Sequence, residues 1–121
     1  MFVPTEVKTK DGETLTRDAL DVMHCISKQH YCELLFKSGE KLYFQNSIQY
    51  FDRMVAERGY IKLHEQHIVE LDLIVKLYWE KAVLKNGDAV PVSRTIYHWL
   101  KNYLHQKQHP EGDFRPRPAT D

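Results

Sequence analysis

Most apolar runs along this chain are short and bounded by turn residues, as strands are, and two stretches instead keep the period of a helix. Phe2–Lys8 predicts a first strand, closed by a turn at Asp11-Gly12. Leu20–Ser27, "LDVMHCIS", is rich in strand formers between polar residues. "HYCELLF" and "EKLYF" flank Lys37-Ser38-Gly39 and predict a hairpin. The first helical stretch follows. Asn46 or Ser47 is placed to cap it, Gln49 stands three after Asn46, and Ile48, Phe51, Met54 and Val55 share one face. Gly59 stands where a C′ residue would end it.

"YIKLHEQHIVEL" reads as strand-like, and "IVKLYWEKAVLKNGDAVPV" after it holds Asn86-Gly87 between Val83-Leu84 and Val90/Val92, which predicts a type I′ turn. Ser93 then reads as the N-cap of a last helix with Ile96, Leu100, Tyr103 and Leu104 as its apolar stripe. From about His105 the chain becomes polar and Pro-rich, and 106–121 is expected to be a disordered tail. No internal repeat is visible. The pattern predicts a mainly β chain with two short helices.

Length and composition narrow the picture. At 121 residues the chain is expected to be one domain. No run reaches the roughly 18 apolar residues of a membrane span, and the first residues lack the apolar core of a signal peptide. Cys25 and Cys32, seven apart, match no metal or redox spacing. On one strand that odd offset would put them on opposite faces, and buried reduced thiols in a cytoplasmic protein are expected. Formal charge is zero, from 17 basic and 17 acidic residues, so the overall basic footprint usual for a nucleic-acid binder is missing. A local excess exists: residues 71–108 hold 6 Lys/Arg against 3 Asp/Glu.

Candidate chemistry adds little by itself. His64-x-x-His67 would chelate a metal on a helix, where residues three apart are neighbours, but on a strand it points both ways. No further ligand stands at a convincing spacing, so neither metal nor cofactor is expected. His24 beside Cys25, or Glu65 near His67, lacks the nucleophile elbow, phosphate loop or orienting third group of a catalytic site. No enzymatic activity is expected.

In combination the pieces resemble the LytTR family of bacterial DNA-binding domains. "ISKQHYCELLFKSGEKLYFQNSIQYFDRM" looks like its strand, loop, hairpin and following helix. "GYIKLHEQHIVEL" matches a signature in which an aromatic-apolar pair leads to His, a polar pair, apolar residues and Leu. "LKNGDAVPVSR" is similar to its hairpin ending in Ser-Arg. The resemblance covers about residues 15–105, leaving 1–14 as a lead-in strand. It implies an elongated arrangement of small antiparallel β-sheets that reaches DNA with loop residues rather than a recognition helix. It also implies transcription regulation, dimers on promoter repeats, and a receiver domain or sensor as partner. The chain is too short to contain a receiver, so a stand-alone regulator or an excised output domain is expected.

Carried over residue by residue, the family's base-contacting positions fall on His30, Glu65 and Arg94. Lys28 and Gln29 beside His30 can donate to phosphate oxygens, and Gln66 is presented outward with Glu65. Neutral His30 can both donate to and accept from a base edge, and the Arg94 fork suits guanine O6 and N7. Ile61, Leu63, Ile68, Val69 and Leu71 are expected to be scaffold, with His64 locking the loop. The chain departs from the family at Glu65, where a basic or amide residue is usual, and at Glu70, where Asn is frequent. These acids motivate a rival reading, a protein-interaction module that kept the fold and lost DNA binding.

Overall fold

The computed structural model describes residues 1–108. They belong to two compact units, the first made of Met1–Lys62 and Gln66–Leu73, the second of Leu63–Glu65 and the chain from Ile74 onward.

Seven strands form the sheet that dominates the first unit: β1 (Pro4–Lys8), β2 (Thr14–Asp18), β3 (Val22–Ser27), β4 (Cys32–Phe36), β5 (Lys41–Phe44), β6 (Tyr60–His64) and β7 (His67–Glu70). Their order is β2-β1-β5-β4-β3-β7-β6. The first strand begins at Pro4, not Phe2, whose side chain is exposed. It pairs with β2 along its length and with β5 at Lys8–Tyr43, so Pro4–Lys8 belongs to the sheet, and the expected boundary at 14/15 falls inside the β1–β2 hairpin. β2 has few apolar residues and was not predicted, because an edge strand needs only one half-buried face.

The tight hairpins of β1–β2 and β4–β5 close alike. In each the residue before the turn accepts from a glycine N–H three residues on (Gly12 to Thr9 O, 3.0 Å; Gly39 to Phe36 O, 2.9 Å) and donates to the residue after that glycine. This is a turn followed by a left-handed residue forming a bulge.

Helix α1 (Ile48–Met54) starts at Ser47, whose Oγ accepts from Tyr50 N at 3.2 Å, so Ser47 and not Asn46 is the cap. The helix is shorter than the pattern suggested. Val55 is its C-cap, and Gly59 (φ +85°) lies past a separate turn in which Glu57 is also left-handed. Ile48 and Phe51 point into the core, where Phe51 meets Phe44 and Tyr60 edge-on at 6.1 and 6.2 Å. Truncating such a ring to Ala ordinarily costs about 3–5 kcal/mol. The Tyr60 hydroxyl donates to Val22 O (2.6 Å), with Ala19 O at 3.2 Å, and burial pushes its pKa up, helped by the charges of Glu70, Asp21 and Asp18.

Cys25 and Cys32 lie on neighbouring strands, in a register (Cys25 opposite Leu34, Ser27 opposite Cys32) that puts them on one face of the sheet rather than two. Both are buried and free, as expected. The Cys25 thiol is hydrogen-bonded to Cys32, and that bond together with burial pushes its pKa up and keeps it protonated.

In the second unit, β8 (Ile74–Tyr78), β9 (Lys81–Leu84) and β10 (Ala89–Pro91) form an antiparallel sheet of order β10-β9-β8. The β9–β10 hairpin repeats the turn of the first unit: Gly87 (φ +93°) donates to Leu84 O at 2.8 Å, and Leu84 donates to Asp88 O at 2.9 Å. A type I′ turn would need positive φ at Asn86 as well, and Asn86 instead accepts from Asp88 N through its side chain, an Asx-type bond. Helix α2 (Arg94–Gln108) is long, not short. It opens at Ser93, whose Oγ accepts from Ile96 N at 3.4 Å, buries Ile96 and Leu100, and leaves Tyr103 and Leu104 half-buried. It continues past His105 to Gln108, through residues expected in the tail; the rest of that tail lies outside the described residues. Among the described residues no helix is long and apolar enough to cross a membrane.

Candidate nucleic-acid interface

"SKQHY" forms the connection from β3 to β4. Ser27 pairs with Cys32 across the two strands, and Lys28 N donates to Tyr31 O at 2.8 Å, closing a tight loop. That closure holds Lys28, Gln29 and His30 outward, and all three are exposed. "LHEQHI" is not one strand but the tip of a hairpin: β6 ends at His64, β7 begins at His67, and Glu65 and Gln66 form the exposed turn. The sequence had no Gly or Asn there to announce it. Ser27 N donates to Gln66 O at 2.9 Å, which binds the root of the 28–30 loop to the 65–66 turn. Gln66 and the 28–30 loop, nearly forty apart in sequence, thus share one end of the first unit's sheet.

Beneath that end sits a pair that sequence reasoning missed. His24 Nε2 and His67 Nδ1 are 2.9 Å apart, with His24 buried. Between two ring nitrogens at that distance one must carry the proton and the other accept it. His67 is therefore a partner of His24, and the pair ties β3 to β7. The spacing of 43 residues carried no signal; only strand register brings the rings together.

The second unit holds Glu65 and Arg94 on one open cleft of about 470 Å³, lined also by His64, Glu80, Val92 and Ser93. Backbone bonds set its walls: Ser93 N donates to Leu63 O at 2.8 Å, and Val92 N to Glu80 O at 3.0 Å. Arg94, the first residue of α2, is exposed. Its Nε lies 3.5 Å from Glu80 Oε1, and its guanidinium lies 6.0 Å from the centre of the Trp79 ring. Trp79 and Glu80 form the β8–β9 turn, between the paired Tyr78 and Lys81, with Glu80 at φ +61°. Sequence reading passed over this turn, because nothing in "LYWEKAV" is a turn former; the exposed Trp beside a charge was its one available sign.

Glu70, the other departure from the expected pattern, is neutralised locally: Lys37 Nζ pairs with its Oε2 at 2.5 Å. Among the described residues no group of three His, Cys, Asp or Glu is placed to hold a metal ion.

The scaffold is antiparallel, carries exposed polar side chains on its tips and, among the described residues, contains no helix-turn-helix. The chain belongs to the LytTr DNA-binding domain family, which matches it over residues 6–105. A solved LytTr DNA-binding domain of a response regulator from Bacillus cereus shares the fold: TM-score 0.69, 21% identity, covering 84% of this chain and 96% of that one. No curated protein matches the sequence.

Proposed function

We propose that this DNA-binding domain reads promoter DNA through three exposed elements: the Lys28-Gln29-His30 loop, the Glu65-Gln66 turn and the Arg94 helix start. The observation that carries the reading is the placement of Glu65 and Arg94 on one cleft. In this reading His30 and Arg94 contact base edges, while Lys28 and Gln29 donate to phosphates and fix the register. The domain acts in bacterial transcription regulation in the cytoplasm, two copies occupying a promoter repeat, under control of a receiver domain or sensor. Selection from a random duplex pool, followed by titration of the enriched site at two salt concentrations, tests it. A selected motif with log K falling against log salt is expected. Failure to enrich any motif overturns the reading.

One observation favours a second reading. Glu65 and Glu80 put two carboxylates on the cleft that holds Arg94, in a chain of zero net charge. A protein-interaction module with this fold would use them on a basic partner, and its binding to duplexes would show no sequence preference.

A further inference from the structure

A second hollow lies in the first unit, apart from the contacts assigned above. Lys8, Thr9 and Lys10 from the β1–β2 hairpin, Tyr31 at the end of the 28–30 loop, and Tyr43 and Gln45 of β5 and its exit line an open space of about 440 Å³. Strand pairing builds it: Lys8 stands opposite Tyr43, and the Tyr31 and Tyr43 rings meet edge-on at 5.6 Å. Every side chain of the lining residues carries a polar donor. Gly12 completes the lining, which holds two lysines, two tyrosines, a threonine and a glutamine and no acidic residue. That is unusual in a chain with as many acids as bases. Acids stand close in sequence or pairing but outside the lining: Glu6 two residues before Lys8 on β1, Asp11 and Glu13 in the hairpin, and Glu33, across from Tyr43, which is paired with Lys41 at 3.4 Å. Lys8 Nζ is steadied by Thr14 Oγ1 at 3.1 Å.

We propose that this hollow is a further DNA contact, which takes the sugar–phosphate backbone of the duplex beside the base-reading loop and reads no sequence itself. The inference rests on the DNA-reading function proposed above and extends its footprint to the N-terminal hairpin. Ammonium and phenol groups suit phosphate oxygens as point donors, without the planar fork that base readout uses. The volume falls in the range of about 300–1,000 Å³ that holds a nucleotide-sized group. Continuity selects the backbone over a free phosphate ester: Tyr31 belongs both to the hollow and to the closed loop that presents His30, through the Lys28–Tyr31 bond.

The test compares the wild type with a K8Q/K10Q double variant and a K10Q single variant, on the selected duplex and on a random one. The slope of log K on log salt should flatten by roughly two units in the double variant and one in the single. Affinity for both duplexes should fall by the same factor, with base preference unchanged. Urea unfolding midpoints establish that the variants are folded, and Lys10, exposed in the turn region, keeps the test open if the double variant is unstable. A folded K10Q protein that still selects its motif with the wild-type slope overturns the inference and leaves the proposed function standing. Thymidine monophosphate that binds the wild type but not K10Q, with duplex slopes unchanged, overturns it in favour of a free phosphate ester. A wild type that selects no duplex overturns both.

Discussion

Arg94 stands between two neighbours with opposite effects on it. The Glu80 carboxylate holds the guanidinium in place but competes with any base for it, while the Trp79 face steadies it without using its donors. The pair is largely exposed, so its own contribution to stability is small. Arg94→Ala should cost about 1–3 kcal/mol of duplex binding and relax preference at one base pair. Titration of both proteins on the selected site and its single-base variants checks this; equal affinities and equal preferences would remove Arg94 from the interface. Tyr60 offers a prediction about stability instead. Its raised pKa means that the folded state favours the neutral phenol. The associated stability is fully present below the ordinary phenol range near 10 and is lost as pH rises above it. Tyr60→Phe should cost about 1–3 kcal/mol at pH 7, because Val22 O and Ala19 O lose a buried donor, and should weaken the alkaline loss. Urea unfolding of both proteins at pH 7 and pH 11 measures the difference. The variant losing as much between those pH values as the wild type would contradict it.

At the scale of elements, three hairpins share one closure geometry. Each places a glycine in a left-handed conformation where the bulge requires it, and no atom crowds the position a Cβ would take at Gly87. The cost of a side chain there is therefore conformational, not steric. Gly87→Ala should destabilise by about 1–2 kcal/mol, the usual difference for an L-residue forced left-handed. A urea midpoint equal to that of the wild type would show that the hairpin had re-formed with another turn. The same turns account for what could be read in advance. Ser38-Gly39 and Asn86-Gly87 announce hairpins, and Asp11-Gly12 a turn, because glycine is the usual residue for this backbone, although Asn86-Gly87 is not the type I′ turn expected. Glu65-Gln66 and Trp79-Glu80 carried no such sign, and they are the turns that shape the candidate interface.

Charge belongs to the scale of the whole molecule. A neutral chain has weak long-range attraction for a polyanion, so the proposed reading of DNA rests on donors concentrated at the tips. Glu65 opposes that concentration, standing exposed on the cleft with Arg94. If it lies near phosphates, Glu65→Arg removes a repulsion and adds a cation, raising affinity and steepening the salt slope. If it accepts from a cytosine amino group, the same change should cost about 1–3 kcal/mol at that base pair. The phosphate-proximal outcome is expected, and measurements on specific and random duplexes at two salt concentrations separate the two. Absence of any change in affinity, preference or slope would put Glu65 outside the interface.

Local pattern alone determined the strand-rich character, the cap at Ser93, a first cap at Asn46 or Ser47, and the glycine turns, because each depends on residues within a few positions of one another. The resemblance in "GYIKLHEQHIVEL" and "LKNGDAVPVSR" named the family for the same reason, as short-range signatures. What the tertiary structure decided lies between residues far apart along the chain. It paired the N-terminal strand with β5, put Cys25 and Cys32 on one face, joined His24 to His67, and set Glu80 and Trp79 against Arg94. Those juxtapositions follow from strand order and register, which sum many weak pairings across the sheets, and no single stretch of sequence contains them.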